Sequence, residues 1–260
     1  MKLPVAPNRE LGQHFLVDEN ILGVAGRLAE LGPDDVVLEV GAGLGVLTTY
    51  LADRVRLVHA VELDRGLEPY LREQLDGRDN VELVLGDALA LPLEALDPPA
   101  TKLVANLPYQ IATPLVVESL DGLSSVGLWC VMVQREVADR FFASPGTKSY
   151  GAVSVLVQLT AERTGFHPVA RTVFRPPPNV DSALVSFRRT RRWGSEYPRL
   201  KEVVQGAFAH RRKTLANSLE LSGVARGETQ SALDRMGLSG EVRAEALAPP
   251  QFLQLAEALA

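Results

Sequence analysis

Apolar positions along this chain fall into two alternating patterns. Short runs with few polar interruptions read as buried strands: Val36-Val37-Leu38-Glu39-Val40, Leu57-Val58-His59-Ala60-Val61 ending at Glu62, Val81-Glu82-Leu83-Val84-Leu85 ending at Gly86-Asp87, Leu103-Val104-Ala105, and Gly127 to Val133. Between them lie helical segments, Val46 to Ala52, Leu67 to Leu75 and Thr113 to Leu120. Ahead of the first strand, Asp18 stands as a helix cap before Ile21, Leu22, Ala25, Leu28 and Ala29, whose spacing puts them on one face, and Gly32-Pro33 marks the end. Ser154 to Leu159 reads as a further helix, and Phe166 to Val173 and Ala183 to Phe187 as late strands. Strands and helices in alternation predict an α/β fold with a doubly wound parallel sheet.

The pattern changes after Phe187. Arg188, Arg189, Arg191 and Arg192 followed by Gly194-Ser195 resemble a linker, and beyond it come amphipathic helices around Leu200 to Phe208, Thr214 to Leu221, Gln230 to Met236 and Phe252 to Leu259, the last two separated by Pro249-Pro250. We therefore expect a large domain over residues 1–190 and a small C-terminal helical domain over 191–260, with no internal repeat.

Composition narrows the class. With 260 residues, 46% of them hydrophobic, the chain has enough apolar material for a large core and a second small one. No stretch approaches the roughly 20 uninterrupted apolar residues of a membrane helix, and Met1-Lys2-Leu3-Pro4 opens no run of signal-peptide length, so no membrane partner and a cytoplasmic location are expected. Cys130 is the single cysteine, which excludes an internal disulfide; between Trp129 and Val131 it reads as a buried core thiol. His59, His167 and His210 show no metal-ligand spacing, and no metal is expected.

Net charge is −5, an average that hides one basic segment. Residues 188–213 hold nine Lys/Arg against two Asp/Glu, while the other 234 residues share 18 Lys/Arg and 30 Asp/Glu. Screening confines charge effects to about 8 Å at physiological salt, so such a segment, with Arg188, Arg189, Arg211, Arg212 and Lys213 as its candidate contacts, is sufficient to meet the phosphates of RNA. Before Gln13 only Lys2 and Arg9 are basic, which leaves that tail little charge for the same purpose.

Candidate chemistry sits at the strand ends. Gly41-Ala42-Gly43-Leu44-Gly45 joins strand to helix and lets a ligand approach the backbone closely. Glu62 ends the next strand 19 residues after Gly43, where a carboxylate can accept both ribose hydroxyls of an adenosine; a dinucleotide-binding fold would show the same feature. Asp87 follows the third strand, placed to accept an adenine amine. Asn106-Leu107-Pro108-Tyr109 follows the fourth, where Pro108 should fix a loop beyond the carboxyl edge of the sheet.

Four consecutive strand ends of this kind resemble the class I S-adenosylmethionine-dependent methyltransferases, and the Asn-Leu-Pro-Tyr signature the subset whose acceptor is an exocyclic amine of a nucleobase. Such an amine is a poor nucleophile because its lone pair is delocalised into the ring. The Asn106 side-chain oxygen and the carbonyl of Leu107 or Pro108 would accept its two hydrogens, and Tyr109 would stack on the base, a contact worth roughly 1 to 3 kcal/mol.

More specifically, Leu11-Gly12-Gln13-His14-Phe15-Leu16, the Gly41 loop, Glu62, Gly86-Asp87, Asn106 to Tyr109, the run Phe174 to Ser182 and Phe208 to Leu215 resemble, in order along most of the chain, the ribosomal RNA adenine N6,N6-dimethyltransferase family (KsgA type). The resemblance implies dimethylation of two adjacent adenosines near the 3′ end of small-subunit (16S) ribosomal RNA with S-adenosylmethionine as cofactor, and the immature small ribosomal subunit as partner of a monomeric enzyme. It implies cofactor contacts at His14, Leu16, Gly41, Glu62, Asp87 and Asn106, a target base near Asn106, Pro108 and Tyr109, and Phe174 as a second aromatic face. His14 stands where the family often has Asn, and Ala42 where it often has Pro. Two related readings share these motifs: a large-subunit methyltransferase of the erythromycin-resistance type, and a ribosome-assembly factor that acts mainly by binding.

Overall fold

The computed structural model describes residues 4–8 and 11–259; Lys2 and Arg9 lie outside the described residues. It divides into two compact units, one formed by residues 1–138 and 162–189, the other by 139–161 and 190–260. The break expected near 190 coincides with one division point, but residues 139–161, assigned from sequence to the larger domain, belong to the helical unit.

The first unit is built on a seven-stranded sheet. Its elements in chain order are β1 (Phe15–Leu16), α1 (Glu19–Leu28), β2 (Val36–Val40), α2 (Val46–Ala52), β3 (Leu57–Glu62), α3 (Glu68–Gln74), β4 (Val81–Leu85), β5 (Lys102–Asn106), α4 (Ala112–Gly122) and β6 (Leu128–Gln134). After α5 (Arg135–Phe141) and α6 (Ala152–Thr160) the chain returns through β7 (Ala161–Val169), β8 (Phe174–Arg175) and β9 (Ser182–Arg189). Strand order is β4-β3-β2-β5-β6-β9-β7. The five strands from β4 to β6 run parallel, and β9 joins β6 antiparallel, with Leu128 opposite Arg188 and Gln134 opposite Ser182.

This order places β2 beside both β3 and β5, so the chain winds one way from β2 and then crosses over to begin the other half. The carboxyl ends of β2 and β5 frame that reversal, the position at which open α/β sheets bind ligands. The strands are apolar because the sheet is covered: every residue of β2 is buried, as are the first six of β6. Trp129 and Phe187 stack across the β6–β9 pair with centroids 5.2 Å apart. Cys130 is fully buried as expected, and burial pushes its thiol up to about 12. Asp18 caps α1 by accepting from the Asn20 N–H at 2.9 Å.

One local expectation is corrected, and two features appear that apolar spacing does not predict. The strand expected over Phe166 to Val173 begins at Ala161 and ends at Val169, and Arg171–Val173 form a 3-10 turn. The helix α5 carries no clear periodicity and was not expected. Phe15–Leu16 and Phe174–Arg175 pair as a separate two-stranded ribbon, invisible in a sequence where they lie far apart.

The second unit also contains α7 (Tyr197–Ala209), α8 (Leu215–Leu221), α9 (Arg226–Arg235) and α10 (Pro249–Ala258). Pro249 and Pro250 form the first turn of α10, where the missing N–H costs nothing, and Gln251 accepts from the Ala248 N–H at 2.8 Å. Its core gathers Tyr197, Leu200, Val204, Leu219, Leu233 and Phe252, all buried. No helix among the described residues is long and apolar enough to cross a membrane.

Candidate active site

One cleft opens at the carboxyl edge of the sheet, wholly within the first unit. It is lined by the 11–16 segment, by Glu39 to Leu44, by Glu62-Leu63, by Gly86 to Ala88 and by Asn106 to Ile111. Of the residues expected to hold a cofactor, His14, Leu16, Gly41, Glu62, Asp87 and Asn106 all line it. They come from the 14–16 segment, the β2 loop, the ends of β3 and β5 and the turn after β4, which is why no local window of sequence contains them.

The glycine loop is shaped for close approach. Gly41 has φ +84°, and a Cβ there would lie 3.1 Å from Pro108 Cδ, so the β2 and β5 loops touch only because residue 41 is glycine. The Gly41 N–H donates to the Val61 carbonyl at 2.8 Å, fastening the loop to β3.

Glu62 is almost wholly buried, yet it faces the cleft. One of its oxygens accepts from the Gly43 N–H and the other from the Asp64 N–H, both at 2.8 Å. These bonds hold the carboxylate flat at the end of β3, and each oxygen keeps a lone pair for a hydroxyl donor. Asp87 is exposed at the rim, where one oxygen accepts from the Leu89 N–H at 2.9 Å in a side-chain turn.

At β5 the Leu107 N–H donates to the Met132 carbonyl at 3.0 Å. The Asn106 amide donates a long bond, 3.4 Å, from Nδ2 to the His14 carbonyl, so Oδ1 is the atom left for a donor in the cleft. The Pro108 carbonyl accepts from the N–H groups of Ile111 and Ala112, both at 3.1 Å. Both lone pairs of that oxygen therefore serve the start of α4, which corrects the choice left open between Leu107 and Pro108: the Leu107 carbonyl is the available acceptor, and Pro108 acts by packing on Gly41.

The 11–16 segment lies over this edge. Gln13 Nε2 donates to Asp64 Oδ2 at 2.8 Å, and His14 Nδ1 lies 2.8 Å from the Pro176 carbonyl, to which it donates. The His14 and Tyr109 rings are tilted 33° with centroids 5.7 Å apart. Burial raises the Tyr109 phenol above its ordinary range.

Phe174 is placed differently from its expected role. It is fully buried, paired through its backbone with Leu16, and is not part of the cleft lining. Its ring belongs to the core in this structure and offers no open face to a base. The basic residues also separate. Arg188 pairs with Glu30 at 2.6 Å. The guanidinium of Arg189 turns inward and donates to the carbonyls of Val126, Leu120 and Leu123 at 2.7, 2.7 and 3.0 Å. Arg189 thus clamps the end of α4 from β9. Arg211, Arg212 and Lys213 are exposed between α7 and α8.

Glu39 was not expected to take part. It is buried, lines the cleft, and is pushed up to about 8 by burial, with Glu62 adding to the rise and Thr48 opposing it. A carboxylate one residue before the last position of an apolar strand, directly ahead of a glycine turn, was the available signal. Among the described residues no group of three or more His, Cys, Asp and Glu side chains is arranged to hold a metal ion.

Comparison with known proteins agrees with this geometry. The family model for ribosomal RNA adenine dimethylase matches residues 6–260. The ribosomal RNA small subunit methyltransferase A of Rubrobacter xylanophilus is 45% identical over 249 residues, covering 96% of this chain and 94% of the relative. The protein of that name from Thermobifida fusca is 40% identical, covering 98% and 91%. Among solved structures, a dimethyladenosine transferase from Plasmodium falciparum superimposes with a TM-score of 0.78 at 24% identity, covering 93% of this chain and 96% of that one, a likeness of fold. The 23S rRNA methyltransferase ErmE does so with a TM-score of 0.65 at 32% identity, covering 94% and 99%. Matched over nearly its whole length by the family model and by relatives of this identity, the chain belongs to the ribosomal RNA adenine dimethylase family.

Proposed function

We propose that this protein dimethylates the N6 amines of two adjacent adenosines near the 3′ end of 16S ribosomal RNA, on the immature small subunit, as a cytoplasmic monomer. The observation that carries the reading is the convergence, in one cleft at the reversal point of the sheet, of the Gly41 loop, Glu62, Asp87 and Asn106 to Tyr109. The small-subunit assignment is supported by the names of relatives at 38–45% identity; the large-subunit alternative draws on ErmE.

The cleft fits S-adenosylmethionine. The Gly41 loop leaves room for a ligand against the backbone, the fixed Glu62 carboxylate suits two ribose hydroxyls, and Asp87 at the rim suits an adenine amine. His14, Leu16 and Asn106 complete the enclosure. When bound, the cofactor supplies an electrophilic methyl group. The chain's own part is alignment. Asn106 Oδ1 and the Leu107 carbonyl accept the two hydrogens of the target amine and turn its lone pair out of the ring plane. Tyr109 holds the base by stacking once it has left the RNA stack. The methylated amine is transiently cationic and sheds its proton easily, so no side chain has to act as a strong base.

Mass spectrometry of ribosomal RNA after incubation of immature small subunits with the protein and methyl-labelled cofactor tests the reading. We expect two adjacent dimethyladenosines in 16S RNA, and with Asn106→Ala a loss of at least a hundredfold in rate at saturating cofactor. Label confined to 23S RNA would establish the alternative, and undiminished turnover by Asn106→Ala would remove the assignment of the site.

A further inference from the structure

Stacking on a base needs only an aromatic ring, yet residue 109 carries a phenol, and that phenol is tied down. Its oxygen lies 2.7 Å from Ser182 Oγ. Ser182 is 1% exposed and opens β9, in register with Gln134 of β6, so the anchor belongs to the sheet and not to a loop. The residue before it is also held: the Asp181 carbonyl accepts from the Arg135 N–H at 3.0 Å, and its carboxylate from the Arg171 N–H at 3.3 Å. On the other side, Tyr109 follows Pro108, whose carbonyl is bound by Ile111 and Ala112. With the backbone and the far end of the ring both fixed, the two side-chain torsions of Tyr109 have one combination left.

We infer that Ser182 is a positioning residue for the transfer: it holds the Tyr109 ring in the plane against which the target adenine stacks, so that the amine meets the methyl donor in line. The inference rests on the function proposed above and names a residue far from the Asn-Leu-Pro-Tyr signature. Burial keeps the phenol neutral, and so able to share a proton with Ser182 across the working pH range. An unanchored ring would still bind the base, but in a spread of orientations. The deficit therefore falls on the chemical step more than on affinity, because a near-attack geometry is lost.

The test is a cycle of Ser182→Ala, Tyr109→Phe and the double variant, with Ser182→Thr as rescue, assayed on immature small subunits with saturating cofactor. Each single variant should lower kcat about three- to tenfold, as expected for one lost hydrogen bond. KM for the particle and the calorimetric Kd for S-adenosylmethionine should stay within about twofold of the parent. The double variant should be no worse than either single, and Ser182→Thr should restore kcat. Additive losses, a parental kcat in Tyr109→Phe, or failure of Ser182→Thr to rescue would overturn the inference. Should Ser182→Ala not fold, Tyr109→Phe removes the same bond from the other side and decides alone. A parent inert on the particles would bring down the proposed function, and this inference with it; an active parent with an uncoupled cycle brings down only the inference.

Discussion

Glu39 is the penultimate residue of β2, just before the glycine loop, where an apolar strand would ordinarily carry Val or Ile. Its carboxyl is fully enclosed, and the loss of water around it, reinforced by Glu62, carries its titration from the ordinary 4.5 to about 8. The folded protein therefore holds a proton on Glu39 that the unfolded chain has already released above about pH 4.5. Between those values the folded state binds more protons, so raising the pH costs stability. Glu39→Gln keeps the shape without the titration. Urea unfolding at pH 5 and pH 8 should show the parent losing at least about 1 kcal/mol relative to Glu39→Gln over that interval; identical pH dependence of the two proteins would refute the buried proton. Glu39 is visible in the sequence as a carboxylate in an apolar run, but its state is not, because enclosure by β3 and α2 sets it.

Arg189 shows how an element can be completed from far away. The helix α4 ends at Gly122 with carbonyls that its own N–H groups cannot reach, and the Arg189 guanidinium supplies donors to Leu120, Leu123 and Val126 while lying 4.7 Å over the Trp129 ring. Arg189→Ala should destabilise the protein by about 2–4 kcal/mol, measured by chemical denaturation, because three charge-assisted bonds to backbone carbonyls are lost. Once folded, the variant should bind RNA as the parent does; a selective loss of RNA affinity at unchanged stability would return Arg189 to the binding surface. In the sequence, Arg189 is one of a basic cluster and looks like its neighbours. Only the antiparallel entry of β9 beside β6 turns it towards the end of α4. The same entry places Ser182 against Tyr109, while the separate β1–β8 pairing sets the buried Phe174 opposite Leu16. Elements with strong periodicity, β2 to β6 and α7 to α10, were legible from apolar spacing, whereas β1, β8 and α5 were not, since their order comes from partners distant in sequence.

For the molecule as a whole, charge is segregated in the chain, and the structure divides that segregation between two units. Arg188 and Arg189 are engaged within the first, while Arg211, Arg212 and Lys213 stand exposed in the second, with Arg211 donating to the Lys148 carbonyl at 3.1 Å. We propose that this helical unit contributes the phosphate contacts. Replacing Arg211, Arg212 and Lys213 by Ala should weaken binding to small-subunit RNA and lower the slope of log affinity against log salt by about 2 to 3, as expected if each meets one phosphate. A titration series in salt with an unchanged slope would move the RNA surface elsewhere. Cofactor affinity should not move, since no residue of the cleft lies in that unit.

Periodicity and strand-end chemistry are properties of short windows, and they sufficed for an α/β fold with a helical C-terminal part and for a site at Gly41, Glu62, Asp87 and Asn106. Each of these residues is held by the strand that precedes it, so its position follows from local order plus the general rule that ligands bind beyond the carboxyl edge. What local order leaves undetermined is which polar atoms remain free after folding. The Pro108 carbonyl is consumed by α4, Arg189 by the end of the same helix, and Phe174 by the core, while Glu39 keeps its proton and Ser182 comes to anchor Tyr109. Apart from the Pro108 carbonyl, whose partners lie three and four residues further on, those outcomes depend on desolvation and contacts between residues distant in sequence, and these exist only once the strands have been laid side by side.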